Sequence, residues 1–503
     1  MNSRSSHTSA IILAAGQGTR MKSGLPKVLH QVAGRPMVWY AAALARKVSD
    51  GIVAMVVGHG ADKVKAYLNE EKEQWEPFLV VDQAQQLGTG HAVLQAFPVL
   101  SRTQDEPVCQ VLILNGDTPL LTEETLTALL AYHQRESATL TLLTTELTDP
   151  SGYGRVVRGS LGEVLRVVED RDASVEEKTI REINVGTYVV DHEFLGQALA
   201  ELRPQNAQGE YYLTDIIEQA VKQGKKVVGW ATPDFQETTG INTRVHLAMA
   251  EKVMRRRINE RHLLAGVTMM DPDRILIDES VVIGRDTVLY PGVILEGRTH
   301  IGDSCVIQAN SHMKDTVLGR AVVVQDACVL QGALVEDEAV IGPFAHLRPG
   351  SRLHKKSKVG NFVELKQTEL GEGSKVNHLS YIGDAVIGQK VNVGAGTITC
   401  NYDGFQKART IIEDEVFIGS DVQLIAPVTI GKGALVAAGT TVTKDIPPNA
   451  LGIARVQQMN REGTAAKRRA LLQARKTAEQ GARSSRDPRE SSKKSANEIR
   501  QSS

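Results

Sequence analysis

The chain has 503 residues, a formal net charge of −1 and 23% charged residues. This length exceeds that of one typical folding unit, so we expect two domains with extensions. The charge is uneven, because residues 461–503 contain twelve Lys and Arg but only five Asp and Glu. The preceding chain therefore carries about −8 and offers no basic face for nucleic acid.

Membrane, export and metal signals are weak in the sequence. No segment approaches the roughly 20 apolar residues of a membrane span, and the apolar residues 11–15 are too few for a signal peptide. We expect a soluble, cytoplasmic protein with reduced cysteines. The cysteines lie far apart, without the paired spacing of a metal site, and they are Cys109, Cys305, Cys328 and Cys400.

The first apolar run, residues 11–15, predicts a buried strand that leads into the glycine-rich turn 16–21. Further apolar runs at 52–57 and 111–114 alternate with helix-favouring stretches such as 123–135. This alternation predicts a parallel sheet with helices on both faces, as in Rossmann-like α/β domains. Ligands of such sheets bind beyond the carboxyl ends of the strands.

Two polar motifs lie at those strand ends, the turn 16–21 and the tripeptide Asn-Gly-Asp at 115–117. The turn lacks the third glycine of a dinucleotide fingerprint, and no Gly-Lys-Ser/Thr follows it. A phosphoryl centre needs backbone N–H groups and fixed cations, for which Arg20 and Lys27 are candidates. Asp117 is the candidate carboxylate for Mg²⁺. The alternatives are a solvated surface lysine and a strand-end turn aspartate.

With Pro26 and Lys27, these motifs resemble the signature of sugar-nucleotide pyrophosphorylases. Other segments resemble the bifunctional N-acetylglucosamine-1-phosphate uridylyltransferase/glucosamine-1-phosphate N-acetyltransferase family, and they are Gln83 with residues 87–92, 152–155, 168–169, 182–184, 206–215 and 240–243. The resemblance implies catalytic roles for Arg20 and Lys27, and Mg²⁺ ligation by Asp117 and Asn242. It also implies contacts to UTP and UDP-N-acetylglucosamine from Leu13, Ala14, Ala15, Gly16, Lys27, Gln83, Gly88, Thr89, Gly154, Glu169, Asn184 and Asn242.

Two positions qualify this resemblance. Many members carry an aromatic residue where this chain has Asn115, so the sugar contact of the family at that position does not carry over. His91 lies beside the implied nucleotide segment. For this histidine, local packing at the start of a helix is favoured over a catalytic role.

Residues 243–265 are charged and contain no Pro or Gly, which favours a helix. We expect this helix to join the two domains, with a boundary near residue 266. The basic run 255–257 is expected on a solvated helix face. The apolar face of the helix would contain Leu247, Ala250, Met254 and Ile258.

From residue 275 to 445, an aliphatic residue returns at every sixth position over long runs. This period predicts a β-helix of short strands in which every sixth side chain points into a narrow prism. The alternative, a β-sandwich with regular turns, would not hold one phase over five repeats. The three longest runs are Ile277, Ile283, Leu289, Leu295, Ile301, Ile307; Ile341, Leu347, Leu353, Val359, Leu365; and Ile418, Leu424, Ile430, Val436, Val442.

The period breaks at three places. The intervals 307–318 and 330–341 are one residue short of two repeats, which predicts trimmed turns. Residues 400–409 are polar and aromatic and predict a loop that projects from the repeat scaffold. Such loops tend to line the binding face.

Polar segments of the prism resemble the acetyltransferase half of the same family, and they are 344–350, 361–366, 377–384 and 392–397. The resemblance implies a left-handed β-helix, a homotrimer and acetyl-CoA held between neighbouring chains. His378 would be the general base that takes the proton of the attacking amine. Glucosamine-phosphate would be bound by Arg348, Lys366, Tyr381 and Asn392. Acetyl-CoA would be contacted by Ala395, Asn401, Tyr402, Ser420, Ala438 and Arg455, of which Asn401 and Tyr402 are also candidates for the sugar.

The predicted fold class is an α/β Rossmann-like nucleotidyltransferase domain followed by a left-handed parallel β-helix, joined by a helix. The resemblance implies an enzyme that N-acetylates glucosamine-1-phosphate with acetyl-CoA. With Mg²⁺, it then transfers uridylyl from UTP to N-acetylglucosamine-1-phosphate and releases pyrophosphate, in bacterial wall synthesis. The expected domains are 1–242 for uridylyl transfer, 243–265 as the linker helix, 266–458 for acetyl transfer and 459–503 as a basic, largely disordered tail.

Two rival functions stay open at this point. One is a single-activity pyrophosphorylase with a structural or regulatory β-helix, against which His378 and Lys366 argue. The other is a non-catalytic regulatory subunit, in which eroded phosphate motifs would be expected. The expected partners are the four small-molecule substrates and further copies of this chain, without nucleic acid or membrane.

Overall fold

An α/β domain and a β-helix follow each other in the structure, a computed structural model that describes residues 7–70, 78–100 and 108–484. The expected solvated tail beyond residue 484 lies outside the described residues. No helix within the described ranges combines the length and the apolar character needed to cross a membrane.

Nine of the described strands of the first domain form one sheet, in the order β11-β7-β10-β6-β1-β4-β5, and β8 also pairs with β10 while β9 pairs with β8. The strands are β1 Thr8–Ala14, β2 Gln31–Val32, β3 Arg35–Pro36, β4 Val53–Val57, β5 Phe78–Asp82, β6 Gln110–Asn115, β7 Leu140–Glu146, β8 Arg155–Arg158, β9 Val164–Val168, β10 Glu182–Asp191 and β11 Val227–Ala231. The helices are α1 Met37–Val48, α2 Ala61–Glu70, α3 Thr89–Ala96, α4 Glu123–Glu136, α5 His192–Glu201 and α6 Asp215–Lys222.

The sheet buries apolar side chains on both faces. Consecutive residues of β1 alternate between them, so Ile11 joins a cluster with α3, α5 and α6, whereas Ile12 joins one with α1, α2 and α4. The predicted helix-covered sheet is therefore confirmed. The expectation of a parallel sheet is wrong for one central strand. β10 runs antiparallel to both β6 and β7.

Two helices follow the sheet. Helix α7 spans Arg244–Leu264 and begins at Thr243, whose hydroxyl accepts a hydrogen bond from the His246 N–H. Its buried residues include Ala250, Met254 and Ile258. Helix α8, Thr464–Ser484, lies near the end of the described chain, and its described side chains are exposed.

The second domain is a parallel β-helix, as the period of six predicts. One sheet contains Thr268–Met269, Val288–Leu289, Val306–Ile307, Val323–Val324, Val340–Ile341, Lys358–Asn361, Lys375–His378, Asn392–Val393, Phe417–Ile418, Leu435–Val436 and Leu451–Gly452. The other sheet contains Leu276–Ile277, Val282–Ile283, Ile294–Glu296, His300–Ile301, His312–Lys314, Val317–Leu318, Val329–Gln331, Leu334–Val335, His346–Leu347, Arg352–Leu353, Glu364–Leu370, Tyr381–Ile387, Ile398–Cys400, Thr410–Ile412, Gln423–Ile425, Val428–Ile430 and Thr441–Val442.

The register of these strands explains the breaks in the period. Val282 pairs with His300, eighteen positions further on, so one coil contains three repeats of six. His300 pairs with Val317, seventeen positions further on, which is the predicted trimmed coil. Ala385 pairs with Thr410 because the loop 401–409 leaves the scaffold between them. The aliphatic residues of the three long runs are all buried.

The β2–β3 hairpin joins the two domains. At its tip, Ala33 N–H donates to Glu251 Oε2 of α7 at 2.6 Å, and Ala33 O accepts from Glu279 N–H of the β-helix at 2.9 Å. The next residue, Gly34, has φ +79°, and a Cβ there would lie 2.4 Å from Asp278 Cγ. Only glycine fits this turn, because both the conformation and the space exclude a side chain.

The expectation of a solvated basic face on α7 is wrong for two of the three arginines. Arg255 Nε lies 2.5 Å from Glu251 Oε1, and its NH2 lies 3.2 Å from Asp278 Oδ1. Arg257 NH1 donates to Leu120 O at 2.6 Å. These arginines therefore fasten α7 to both domains, whereas Arg256 between them is exposed.

Candidate active sites

A cavity of about 600 Å³ opens at the carboxyl ends of β1 and β6 in the first domain. This is the position at which parallel sheets bind ligands. Its lining contains many of the residues implied for the nucleotide, together with Gln17, Thr19, Gln86, Gln208 and Glu210, which were not singled out from the sequence. The implied residues that line it are Leu13, Ala14, Ala15, Gly16, Lys27, Gln83, Gly88, Thr89 and Asp117.

Two cations and two oxygen acceptors converge at the edge of this cavity. Lys27 Nζ forms an ion pair with Asp117 Oδ2 and donates to Asn242 Oδ1 at 2.6 Å. Arg20 NH2 donates to the same Asn242 oxygen at 2.9 Å. The four residues come from three distant parts of the chain, and the structure brings them together.

The glycine-rich turn packs directly on the lysine. Gly18 has φ +63°, and a Cβ there would lie 2.5 Å from Lys27 Cβ. The turn therefore needs glycine for both its conformation and its approach to Lys27. Beyond it, residues Thr19–Met21 form a short 3-10 helix that presents Arg20.

The implied uracil segment is held by side-chain amides. Gln83 is buried, and its Nε2 donates to Gly88 O at 3.0 Å. The amides of Gln83 and Gln95 lie 3.0 and 3.2 Å from the two ring nitrogens of His91. His91 is thus engaged within its own segment, as local packing requires.

The implied sugar residues form a neighbouring cluster rather than part of the cavity lining. Asn184 N–H donates to Gly154 O at 2.9 Å, and Glu169 Oε1 accepts from the Thr214 hydroxyl at 3.2 Å. Burial raises the pKa of Glu169. Asn115 lines the cavity, and its Nδ2 donates to Val185 O at 3.3 Å.

Tyr153 is a residue that sequence reasoning did not single out, although its segment 152–155 was named. Burial raises the pKa of Tyr153, and the nearby Asp117 carboxylate raises it further. A backbone hydrogen bond with Gly240 acts in the opposite direction and lowers this pKa. The tyrosine therefore lies beside the group of charged residues and contacts the segment that carries Asn242.

On the β-helix, a groove of about 480 Å³ contains His378 in its lining. His378 is the last residue of the strand Lys375–His378, and its Nδ1 lies 2.7 Å from Asn361 Oδ1. Arg455 NH1 donates to Ala438 O at 2.7 Å. The residues implied for the sugar and for acetyl-CoA that share this groove are Asn392, Ala395, Ser420 and Ala438.

A separate polar cluster on the β-helix contains Lys366 and Asp384, and Arg348 forms an ion pair on the same domain. Lys366 Nζ lies 3.0 Å from Asp384 Oδ2, and that carboxylate also accepts a hydrogen bond from Asn401 Nδ2. Arg348 NH1 lies 3.0 Å from Glu364 Oε1. These residues do not line the groove.

Two further implied ligands, Tyr381 and Tyr402, also lie on the β-helix, whereas several partner residues were missed from the sequence. Tyr381 lies against Gly383, where an added Cβ would be 2.5 Å from the tyrosine hydroxyl. Tyr402 lies on the projecting loop, where its hydroxyl donates to Gly404 O at 2.6 Å. Asp384, Glu364 and Asn361 were inside the matched segments, but their roles as partners were not predicted.

Comparisons with known proteins match one family model to each half of the chain. The MobA-like NTP transferase domain model matches residues 10–182, and the bacterial transferase hexapeptide model, of six repeats, matches residues 409–444. A solved UDP-glucose pyrophosphorylase complexed with UDP-glucose covers 50% of the chain and 99% of its own, at 18% identity and a TM-score of 0.40. That likeness is too low to bear on activity.

Curated relatives match almost the whole chain. A bifunctional GlmU protein of Halalkalibacterium halodurans is 49% identical over 453 residues, which are 90% of this chain and 97% of the relative. Bifunctional GlmU proteins of Exiguobacterium sp. and Geobacter sulfurreducens are 50% and 47% identical, and each alignment covers 90% of this chain and 98% or 97% of the relative. The β-helix is thus of the left-handed hexapeptide class, and the chain belongs to the bifunctional GlmU family of transferases, with a uridylyltransferase and an acetyltransferase activity.

Proposed function

We propose that the two sites perform successive steps in the synthesis of UDP-N-acetylglucosamine. The β-helix site N-acetylates glucosamine-1-phosphate with acetyl-CoA. The N-terminal site then joins the product, N-acetylglucosamine-1-phosphate, to the uridylyl group of UTP. The observation that carries this proposal is the presence of two separate polar centres, Lys27 with Asp117 and Asn242, and His378 with Asn361.

In the uridylyl step, a phosphate oxygen of N-acetylglucosamine-1-phosphate attacks the α-phosphorus of UTP and pyrophosphate leaves. Arg20 and Lys27 neutralise the charge that grows on the phosphoryl oxygens. Backbone groups of residues 13–16 cradle the nucleotide together with Lys27. Gln83, Gly88 and Thr89 bind its base side, while Gly154, Glu169 and Asn184 bind the sugar.

We propose that Asp117 and Asn242 hold Mg²⁺. Among the described residues, no group of three or more His, Cys, Asp and Glu could hold a metal ion. Mg²⁺ does not need such a group, since water and phosphate complete its shell. A carboxylate oxygen and an amide oxygen already converge here on Lys27 Nζ, and this donor set fits the ion. When bound, Mg²⁺ neutralises triphosphate charge.

In the acetyl step, the substrate amine attacks the thioester carbonyl and transfers a proton to His378, and the CoA thiolate leaves. The Asn361 side chain orients the ring through Nδ1, which leaves Nε2 as the base. Arg348 and Lys366 bind the sugar phosphate, and Tyr381 and Asn392 hold the sugar. Acetyl-CoA contacts Ala395, Asn401, Tyr402, Ser420, Ala438 and Arg455.

The proposed assembly is a homotrimer in which a neighbouring chain covers the groove. In support, exposed apolar side chains form a row on successive coils, with Phe344 and Phe362 stacked at 5.2 Å between ring centroids and Leu379 beyond them. Such a row suits contact with another chain. Gel filtration with light scattering tests this, and a fully active monomer would contradict it.

The proposed domain division is 1–242 for uridylyl transfer, 243–265 as linker, 266–458 for acetyl transfer and 459–503 as a basic tail. Separate measurement of both activities tests this division. Asp117→Ala should abolish pyrophosphate release and leave acetyl transfer intact. His378→Ala should abolish release of the CoA thiol and leave uridylyl transfer intact. Loss of both activities in either variant would contradict separate sites.

A rival reading is tested by the same assays. If the parent chain transferred uridylyl but released no CoA thiol with glucosamine-1-phosphate, it would be a pyrophosphorylase with a structural β-helix. His378 and its Asn361 partner would then have no substrate to act on.

A further inference from the structure

His30 is a buried histidine that follows the short helix containing Lys27. Its N–H donates to Lys27 O at 3.2 Å, and its O accepts from Met37 N–H at 3.0 Å. The residue is 5% exposed, and its Nε2 has no hydrogen-bond partner within the described residues. The orientation of the ring therefore depends on the hydrogen bond at its other nitrogen, Nδ1.

That contact comes from Arg244, the first residue of α7, whose NH1 lies 3.2 Å from His30 Nδ1. A guanidinium has no acceptor, so Arg244 donates and Nδ1 must present its lone pair. Burial and the Arg244 charge both lower the pKa of His30, which agrees with a neutral ring. The pair joins two residues separated by 214 positions.

Each member of the pair is close to a residue of the proposed uridylyl site. Lys27 precedes His30 by three positions, and Asn242 precedes Arg244 by two. Asn242 N–H also lies 3.4 Å from His246 Nδ1, so its backbone is tied to the first turn of α7. The position of α7 therefore determines where the Asn242 amide oxygen lies relative to Lys27.

The β2–β3 hairpin and α7 are also fixed by contacts away from the site. The hairpin tip at Ala33 is bound to Glu251 and Glu279, and Arg255 binds α7 to Asp278. Near the site, the polar side-chain contacts that the described residues make between segments 20–30 and 242–244 are those of Lys27 and Arg20 with Asn242 and that of His30 with Arg244. Only the last involves no residue that binds substrate or metal.

We propose that His30 and Arg244 are a positioning pair for uridylyl transfer, which holds Asn242 at the distance from Lys27 and Asp117 that the metal site requires. The inference rests on the proposed function of Asp117 and Asn242. Outer residues that orient metal ligands typically change metal affinity by about 10- to 100-fold when removed. The pair touches neither substrate nor metal, so its effect is indirect.

The test uses the full chain and measures Mn²⁺ binding, by loss of the free-ion electron paramagnetic resonance signal in the presence of UDP-N-acetylglucosamine. Arg244→Met and His30→Leu should each weaken Mn²⁺ binding about tenfold. The double variant should lose no more than either single variant, because one interaction is removed in all three. Arg244→Lys keeps a donor and His30→Asn keeps an acceptor, so both should bind Mn²⁺ nearly as the parent does.

The matched control is Arg261→Gln, which breaks an exposed ion pair with Glu279 on the same helix. It should leave Mn²⁺ binding unchanged, and acetyl transfer should be unchanged in every variant. Parent-like Mn²⁺ affinity in both Arg244→Met and His30→Leu would overturn the inference, as would losses that simply add. If Asp117→Ala itself binds Mn²⁺ like the parent, the proposed metal site fails instead, which separates the two ideas.

Discussion

Lys366 Nζ lies 3.0 Å from Asp384 Oδ2 on the β-helix, and Asn401 donates to the same carboxylate oxygen. The hydrogen bond with Asp384 raises the pKa of Lys366. Burial alone would raise the pKa of Asp384, but the hydrogen bonds from Lys366 and Asn401 outweigh it, so the pKa is lowered. Asp384 thus holds together two residues that we propose contact substrate.

Replacing Asp384 should show whether this residue orients Lys366 and Asn401 or merely repels the substrate phosphate. Asp384→Ala frees the Lys366 ammonium and leaves Asn401 unpaired, so KM for glucosamine-1-phosphate should rise about tenfold, or ~1.4 kcal/mol. Asp384→Asn retains an acceptor and should change KM little. Steady-state kinetics of CoA thiol release measure both. A lower KM in both variants would show that the carboxylate merely repels the phosphate.

The contact between Asn361 Oδ1 and His378 Nδ1 at 2.7 Å predicts a kcat effect. Asn361→Ala leaves the imidazole free to rotate, so kcat for acetyl transfer should fall by about 10- to 100-fold, less than the loss expected on removing a general base. KM for acetyl-CoA should stay within about twofold if orientation alone is lost. Asn361→Asp retains an acceptor and should restore most of the rate. An unchanged kcat in Asn361→Ala would refute the orienting role.

Gly360 predicts a steric limit on the β-helix. A Cβ at this position would lie 1.9 Å from Asn377 O of the next coil. Gly360→Ala should therefore destabilise the β-helix by about 3 kcal/mol or more, through backbone displacement. Gly373 has φ +69° but open space around its Cβ position, so Gly373→Ala should cost only about 1 to 2 kcal/mol.

Thermal melting by circular dichroism compares the Gly360 and Gly373 variants. The three tryptophans, Trp39, Trp75 and Trp230, precede α7, so their fluorescence reports on the N-terminal domain. Its transition should be less affected than that of the β-helix. Equal losses in the two glycine variants would argue against a steric cause.

Asp215, at the start of α6, predicts a pH dependence of stability. Burial, followed by the charges of Glu218 and Asp172, raises its pKa from 3.8 to about 6. The folded state therefore binds a proton between these values that the unfolded state does not, so the contribution of Asp215 to stability falls as pH rises through this window. Above about pH 6, the ionised carboxylate lowers the stability of the folded state by its full amount.

Asp215→Asn removes the destabilising carboxylate charge. It should stabilise the N-terminal domain by about 1 to 2 kcal/mol at pH 8 and have little effect at pH 4. Urea unfolding followed by tryptophan fluorescence at the two pH values measures the difference. Destabilisation at both pH values would mean that the favourable interaction of the carboxylate with the helix N-terminus dominates.

The repeat pattern of the β-helix was predictable because its core is one-dimensional. Every sixth side chain must enter the prism, so Ile277 to Ile307 carries the coil geometry in its spacing. The trimmed coils followed from the same spacing. The direction of β10 was not predictable, because an apolar run does not record whether its neighbours run parallel or antiparallel.

The convergence of Lys27 and Asp117 was predictable because each lies in a contiguous motif at a strand end. The partners of the β-helix site residues were not, because a contact such as Asp384 with Lys366 depends on the stacking of coils rather than on a motif. The basic run 255–257 was misjudged for a related reason. A charge run suggests a solvated face, and only the folded structure shows that Arg255 meets Asp278 across the domain junction.

A single apolar cluster runs from Val32, Met37 and Leu120 of the first domain, through Ile258 of α7, into the prism of the β-helix. The period of six in the sequence begins shortly after residue 266, but the apolar interior is continuous across that boundary. Exchange of one half between relatives would separate side chains that pack against each other, so a working chimaera would have to keep the hairpin together with α7. The two catalytic halves therefore share one packed interior and are not freely interchangeable modules.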